Sequence, residues 1–228
     1  MDGVSHWIWD GMATKQTLTP EDWIKAAFKL LTSAGPKAIR VDYLCKELGV
    51  TKGSFYWHFE DLAALRAAMV EHWRRIATSD VIASMVSPEL SPRDLFIRFI
   101  EDILHVPTRD YGGPMTEVAI RHWAAGDEAV QTVVRDADTE RLAFLTLQMR
   151  GAGLTGPEAR SRATLIYATL VGLKQLTGEP ALPRMDIPGF VDAMLRPSPA
   201  SAAAAQAALL ASATTERVPE PEPELEIQ

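Results

Sequence analysis

The stretch TKGSFYWHF, at positions 51–59, concentrates side chains that suit contact with nucleic acid. It holds four aromatic residues in a chain whose aromatic content is 7%. Lysine, hydroxyl and imidazole groups bind phosphate oxygens or base edges, and a glycine lets the backbone approach a duplex closely. Phe55 and Phe59, four residues apart, would share the buried face of a helix. The pattern favours a helix that contacts DNA over a purely aromatic core helix.

No residue pattern predicts catalysis, a metal or a cofactor. GAGLTG at 151–156 fits the G-x-G-x-x-G fingerprint, but that fingerprint follows a strand, and the preceding residues here repeat at helical spacing. A loop between two helices is expected instead. The five histidines lack metal-ligand spacing, and the single cysteine, Cys45, lies beside the apolar stripe of a short helix, as a packed residue would. We therefore expect neither an enzyme nor a bound metal or cofactor.

The distribution of charge is uneven. The formal net charge of −7 argues against a protein that coats nucleic acid non-specifically, because such binding needs many cations at phosphates. Residues 15–58 nevertheless carry seven basic side chains against four acidic ones. The chain has no apolar run long enough to span a bilayer and no basic segment typical of a signal peptide. A cytoplasmic protein with a basic N-terminal module and no membrane partner is expected.

Apolar residues recur at helical spacing along nearly the whole chain, which predicts an all-α fold. Thr19 as N-cap and Pro20 at the first helical position begin the first helix. A short helix over RVDYLCKELGV then ends at Gly49, Thr51 can cap the next short helix, and Asp61 lies in the first turn of a long one. Two short helices joined by a glycine turn form the helix-turn-helix pattern.

The stretch ELGVTKGSFYWHFEDLAALRAAMVEHW, preceded by AIRVDYLC and the first helix, resembles the DNA-binding domain of TetR-family (AcrR-like) transcriptional regulators. The likeness covers residues 19–75 and rests on the LGV turn and the Tyr-Trp-His-Phe run at the family's spacing. It implies an N-terminal three-helix helix-turn-helix domain followed by a C-terminal helical ligand-binding and dimerisation domain. Beyond residue 76 only the all-helical architecture is similar.

The resemblance also implies which residues contact DNA. Lys52 and Tyr56 are expected at phosphates or base edges, Ser54 at either, and His58 at the DNA backbone near the helix end. The full expected set is Arg40, Lys46, Thr51, Lys52, Gly53, Ser54, Tyr56, Trp57 and His58. Two positions depart from the family pattern. Arg40 stands where a capping Ser or Thr is common, and the sequence EDL at the start of the fourth helix lacks a lysine often found there.

Residues 77–196 are expected to bind a small-molecule effector and to form a homodimer. In the family, the last two long helices of each subunit build a four-helix interface, a role assigned here to the segments after Asp127 and after Thr155. The candidate effector-binding residues combine aromatic bulk with polar tips, and they are Tyr111, Met115, His122, Trp123, Phe144 and Gln148. Trp123 and Phe144 fit equally well as plain core residues.

The chain is expected to divide into an N-terminal arm (1–18), the helix-turn-helix domain (19–76), the regulatory domain (77–196) and a tail (197–228). The tail is rich in alanine, proline and glutamate and has little to bury, so a disordered acidic tail is expected there, with room for no more than a frayed alanine-rich helix.

The expected function is ligand-responsive regulation of transcription. A homodimer would place two recognition helices about 34 Å apart, which matches the half-sites of a palindromic double-stranded DNA operator. An effector in the helical body would shift the fourth helix and release a repressor from its operator, although activation would use the same parts. The alternative is a helical dimeric sensor or interaction protein without operator binding, which the negative charge and the EDL sequence favour.

Overall fold

The computed structural model describes residues 18–85, 89–105, 111–176, 185–203 and 206–207. Every regular element in these ranges is helical, which confirms the predicted all-α fold. The α-helices are α1 (Pro20–Ala34), α2 (Val41–Leu48), α3 (Lys52–His58), α4 (Leu62–Arg74), α5 (Asp80–Ser84), α6 (Pro92–His105), α7 (Thr116–Ala124), α8 (Glu128–Gly151), α9 (Gly156–Leu176) and α10 (Ile187–Leu195). Two 3₁₀ turns, Pro36–Ala38 and Gly113–Met115, precede α2 and α7.

Side-chain caps fix where several helices begin. Thr19 accepts a hydrogen bond from the backbone N–H of Asp22, and the Asp22 carboxylate accepts one from the backbone N–H of Thr19, so two otherwise unpaired donors are satisfied. Asp61 and Asp127 cap α4 and α8 in the same way, each accepting from the backbone N–H three residues later. Asp61 is thus the N-cap of α4, one position before the first turn in which the sequence placed it.

Within the described ranges, two hydrophobic cores hold the helices together. The N-terminal core joins α1–α4 to α7 and the first half of α8, and it contains Trp23, Phe28 and Trp73. The C-terminal core joins α6, α9 and α10 to the second half of α8, around Phe96 and Ile166. Because α8 contributes to both cores, the helices of the helix-turn-helix region and those of the C-terminal region pack against the same long helix.

The segment after α4 continues as helix without a break. A π-helical turn (Arg75–Ser79) separates α4 from α5, and such turns widen the helix by one residue and alter which carbonyls are free. Arg141 of α8 donates a hydrogen bond to the Ala77 carbonyl in this turn, over 3.1 Å. The domain boundary expected between residues 76 and 77 therefore falls inside a continuous helical segment.

The beginning of the tail is attached to the body of the protein. Residues 199–203 are helical, within the alanine-rich stretch where a frayed helix was allowed for, but Ser201 is buried, which composition did not indicate. The Ser201 hydroxyl accepts a hydrogen bond from the backbone N–H of Thr155, and Ser198 donates to the Glu158 carboxylate. These bonds attach the tail to the beginning of α9. The amino-acid composition of the tail could not predict them, because they depend on two small polar side chains.

Three further expectations concern the GAGLTG loop, membrane spans and the two ends of the chain. The GAGLTG stretch is the connection between α8 and α9, as predicted. Within the described ranges, no helix is both long enough and apolar enough to cross a bilayer. Residues 1–17 of the expected arm and residues 204–205 and 208–228 of the expected tail lie outside the described residues.

Candidate functional site

The turn between α2 and α3 is set by a glycine. Gly49 ends α2 with φ of 66°, a left-handed conformation that glycine adopts without the strain a Cβ would add. The backbone N–H of the next residue, Val50, donates to the Cys45 carbonyl over 3.0 Å and closes the helix end. This turn redirects the chain into α3.

Two phenylalanines anchor α3 to the N-terminal core. Phe55 is fully buried, with its ring in an edge-to-face contact with Trp23 at 5.3 Å between centroids. Phe59 stacks on Phe55 at 5.8 Å. Truncating a buried aromatic of this kind to alanine costs about 3–5 kcal/mol of folding free energy, so these residues fix the orientation of the helix.

The remaining residues of α3 face outward. Trp57 is 84% exposed and Tyr56 is 58% exposed. Such exposure is unusual for large aromatic side chains unless they contact another molecule. Of the nine residues expected to contact DNA, seven are exposed and two are half-buried. The exposed ones are Arg40, Lys46, Thr51, Lys52, Gly53, Tyr56 and Trp57, and the half-buried ones are Ser54 and His58.

Charges around α3 are partly paired within the chain. The Lys52 ammonium lies 2.5 Å from Asp42 Oδ1, and this hydrogen bond raises the pKa of Lys52 and lowers that of Asp42. Arg40 is the N-cap residue of α2 but makes no side-chain cap bond there. Its guanidinium lies over the Tyr43 ring at 5.3 Å and 4.0 Å from Asp42 Oδ2, at the limit of an ion pair. Arg40 is thus an exposed cation beside the helix-turn-helix surface.

The fold itself does not require a glycine at position 53. A Cβ placed on Gly53 would meet only the Thr51 hydroxyl, at 3.7 Å, which is an ordinary van der Waals contact. Since an alanine would fit inside the protein, packing within the described part of the chain does not account for the glycine.

A second feature is a cavity of about 530 Å³ bounded by the α4–α5 segment, α6, α8 and α9. Its volume lies in the range of small-molecule sites, roughly 300–1,000 Å³. Apolar side chains form most of the wall, among them Ile76, Phe99, Leu145 and Leu170.

Two of the six candidate effector-binding residues, Tyr111 and Phe144, line this cavity. The structure places the other four away from its wall. Trp123 is buried in the N-terminal core, where its indole N–H donates to Asp127, and Met115 and His122 are exposed. Gln148, in α8, is half-buried.

A network of buried charges closes one side of the cavity. Glu117 of α7 is only 5% exposed, and one of its oxygens accepts hydrogen bonds from both Arg121 and Arg141, at 2.9 and 3.0 Å. Arg121 also forms a two-point contact with Asp138, at 2.6 and 3.0 Å. The Tyr167 hydroxyl donates to Asp138 and accepts from both arginines. Three helices, α7, α8 and α9, are thereby tied together.

The network keeps its groups charged despite burial. Burial alone would raise the pKa of Glu117, but the charges of Arg141, Lys174 and Arg121 outweigh it and hold that pKa below its usual value. Burial raises the pKa of Tyr167 to about 12, so its hydroxyl keeps its proton at neutral pH. Burial also lowers the pKa of Lys174, which lines the same cavity.

The cavity wall also contacts the helix-turn-helix region. Tyr111 donates a hydrogen bond to Glu21 of α1, over 2.5 Å, and its ring lies 4.4 Å from that of His72 in α4. The next residue, Gly112, has φ of 87°, and a Cβ there would approach Thr32 of α1 to 2.6 Å. The loop before α7 is therefore packed tightly against α1 and α4.

Four residues of this network and the cavity wall were not predicted from the sequence, namely Glu117, Arg121, Arg141 and Lys174. A signal was present, because Glu117 and Arg121 are four residues apart on a helix whose neighbouring positions are apolar. The third partner, Arg141, could not be assigned without knowing how α7 and α8 pack.

Comparisons with known proteins agree with this geometry. Residues 24–69 match the family described as bacterial regulatory proteins, tetR family. A TetR transcriptional regulator from Legionella pneumophila is 16% identical, with a TM-score of 0.64 over 80% of this chain and 100% of that one. A transcriptional regulator from Rhodococcus sp. Rha1 is 22% identical, with a TM-score of 0.62 over 78% of this chain and 94% of that one.

A protein from Saccharomonospora viridis, determined in complex with choline, is 17% identical, with a TM-score of 0.59 over 77% of this chain and 92% of that one. Identities this low show a shared fold. No curated protein matches the chain. The match over residues 24–69 includes α2, α3 and their glycine turn, on which the expected likeness rested. The helix-turn-helix part of the chain, residues 24–69, is thus that of the tetR family of bacterial regulatory proteins, and the chain as a whole shares the fold of TetR transcriptional regulators.

Proposed function

We propose that the chain is a homodimeric repressor that leaves a palindromic operator when a small molecule enters the cavity between α4–α5, α6, α8 and α9. The observation that carries this proposal is the position of the cavity. Its wall includes Trp73 and Ile76, at the end of the helix that leads out of the helix-turn-helix region. A ligand in the cavity would therefore contact the α4–α5 segment, which connects the ligand-binding region to the DNA-binding region.

DNA recognition is assigned to the exposed face of α3, with Arg40 and Lys46 beside it. Lys52, Tyr56 and the backbone at Gly53 are the expected contacts within the groove, where an α-helix fits B-form DNA. Phosphate contacts would set the register of the protein, and base contacts would supply the sequence preference.

Apolar side chains exposed on the two longest helices support the homodimer. Leu147 of α8 is 63% exposed, and Leu165 and Leu176 of α9 are 51% and 46% exposed. A second subunit that covers these residues would remove apolar surface from water and form the four-helix interface proposed for α8 and α9.

The route from the cavity to α1 and α4 passes through two sets of contacts. Arg141 bonds the π-helical turn at Ala77 and Thr78, and Tyr111 bonds Glu21 of α1. A ligand that moves either residue would rotate the helix-turn-helix region relative to its partner. To shift the DNA-competent state from 99:1 to 1:99, the ligand must prefer the other state by about 5.5 kcal/mol.

The experiment pairs ligand binding with operator binding on the same protein. Compounds that raise the melting temperature of the full chain are tested for their effect on its affinity for an operator obtained by selection from random duplexes. The proposal predicts that a compound bound in the cavity weakens operator binding at least tenfold. A compound that occupies the cavity and leaves operator affinity unchanged would contradict it, as would a folded protein that remains monomeric at the concentrations that bind DNA.

A further inference from the structure

On the basis of the ligand response proposed above, we propose that the cavity binds a molecule that joins one carboxylate to an apolar body, and that Arg141 and Lys174 recognise the carboxylate. The apolar body would lie against the side chains of α6, α8 and α9 that form most of the wall. These include Phe99, Ile103, Phe144, Leu170 and Val171.

The charges that line the cavity fall into an outer and an inner group. Asp80 and Asp102 are outer, since they are 54% and 60% exposed, and each has an arginine partner of its own. Glu117 and Arg141 are inner, at 5% and 13% exposed, and Lys174 is half-buried. The outer carboxylates are thus screened by solvent and by their partners, so the inner group decides which ligand charge is favoured.

Among the described residues, the inner group carries more cations than carboxylates, with Arg141 and Lys174 against Glu117. The excess of one positive charge remains when Arg121 and Asp138, which are bonded to this group behind the cavity wall, are added. Both carboxylates already accept hydrogen bonds within the network, because Glu117 Oε1 accepts from two guanidinium groups and Asp138 accepts from Arg121 and Tyr167. A ligand carboxylate would bring this group of charges to balance, whereas a ligand ammonium would add a fourth cation.

Arg141 retains donor capacity. Its four hydrogen bonds go to Thr78, Glu117, Tyr167 and the Ala77 carbonyl, at distances of 2.8–3.1 Å. A guanidinium has five N–H groups, so one N–H on Nη2 has no hydrogen-bond acceptor in the part of the chain that the structure describes. A carboxylate oxygen in the cavity would fill this position and gain a charge-assisted hydrogen bond.

The same contact gives the ligand's charge a route to α4. The Nη2 atom of Arg141 that has the spare N–H also donates to the Ala77 carbonyl in the π-helical turn. A carboxylate that draws Nη2 toward the cavity would weaken that bond and the neighbouring bond from Nε to Thr78. The head group, and not only the bulk of the ligand, would then affect the helix-turn-helix region.

Titration calorimetry with matched probes tests the ligand class on the full-length protein without DNA. The probes are octanoate, decanoate and dodecanoate, with 1-decanol and decylammonium as partners that differ from decanoate only in the head group, all below their micelle concentrations. We expect decanoate to bind at least about tenfold more tightly than 1-decanol, and decylammonium to bind most weakly.

Variants assign the head-group contact. Lys174→Met should weaken decanoate about tenfold and leave 1-decanol unchanged, and Arg141→Gln should do the same where circular dichroism shows that it folds. Arg135→Gln, an exposed arginine on the same helix as Arg141, is the matched control and should bind all probes as the wild type does. Because Lys174→Met keeps Glu117 paired with both arginines, the test does not depend on Arg141→Gln folding.

Three results would overturn the proposed ligand class. They are binding of decylammonium as tightly as decanoate, no binding of any of the three carboxylates to folded protein, and no loss of decanoate affinity in Lys174→Met. Failure of the repressor proposal would look different, since decanoate would still bind with the expected head-group preference while operator affinity stayed unchanged.

Discussion

The Lys52 ammonium, at the first residue of α3, lies 2.5 Å from the Asp42 carboxylate of the preceding helix. In the DNA-free protein this lysine is therefore held by an internal anion. A phosphate that binds Lys52 must displace Asp42. The ion pair therefore lowers the net free energy gained from the phosphate contact and reduces the number of counterions that DNA binding releases.

Asp42→Asn should strengthen operator binding about three- to tenfold at low salt, because Lys52 no longer has an internal competitor. The slope of log affinity against log salt should become steeper by up to about one. Fluorescence anisotropy over a salt series measures both. Asp136→Asn removes an exposed acid from α8 and serves as the charge-matched control. Equal affinities of Asp42→Asn and the wild type would show that Lys52 makes no phosphate contact.

Gly53→Ala should separate folding from DNA binding. Alanine is favoured over glycine within a helix by up to about 1 kcal/mol, and the fold has room for its methyl group, so the free energy of unfolding should rise slightly. Operator affinity should fall at least about tenfold, because the methyl group would lie between the backbone and the duplex. Urea denaturation and anisotropy report the two effects. Unchanged DNA affinity in this variant would mean that the N-terminus of α3 does not approach the duplex closely.

Glu117→Gln should destabilise the protein by about 3 kcal/mol, because it removes a buried carboxylate shared by two arginines and leaves Arg141 without a carboxylate partner among the described residues, while Arg121 keeps Asp138. Glu140→Gln is the comparison, since it breaks the half-exposed ion pair with Arg74 and should cost less than about 1 kcal/mol. Chemical denaturation of both variants checks the difference. If the two losses were equal, the network around Glu117 would not be the buried tie between α7 and α8 described above.

His72 should make stability depend on pH. Burial lowers its pKa in the folded state, where the ring lies against Phe28 and Tyr111 and its Nε2 is buried without a hydrogen-bond partner among the described residues. The unfolded state therefore takes up a proton first as the pH falls below about 6.5. Stability attributed to neutral His72 is complete above that pH and is lost as the pH falls toward the lowered pKa.

The loss amounts to about 1.4 kcal/mol for each tenfold weakening of proton affinity in the folded state. His72→Gln should flatten the dependence of the free energy of unfolding on pH between 7 and 5, the range in which an ordinary histidine titrates. Denaturation at several pH values gives the slope. A variant as steep as the wild type would place the responsible group elsewhere.

The helix-turn-helix could be predicted from sequence because its signals are local. The cap at Thr19, the left-handed Gly49 and the buried pair Phe55 and Phe59 each act within a few residues of chain, where helical spacing decides which side chains point inward. The structure places all of them as the pattern indicates.

The cavity could be predicted only in part, because periodicity does not tell which of two cores a helix faces. Trp123 combines an apolar ring with a polar N–H, as a ligand-binding residue would, but α7 directs it into the N-terminal core. From the sequence alone, Arg141 would be assigned to the surface of a long helix. Only the packing of α7, α8 and α9 places its side chain inside, where it is 13% exposed. Long-range packing also explains Ser201, which the alanine-rich composition around it concealed.

The most direct measurement is selection of binding sites from random duplex DNA by the full chain at near-physiological salt. The account predicts an enriched palindrome whose half-sites are about one helical turn apart, roughly 34 Å centre to centre. It also predicts that a variant with Lys52→Ala, shown to be folded and dimeric, loses the enrichment. No enriched sequence from the folded, dimeric wild-type protein would contradict operator binding through α3.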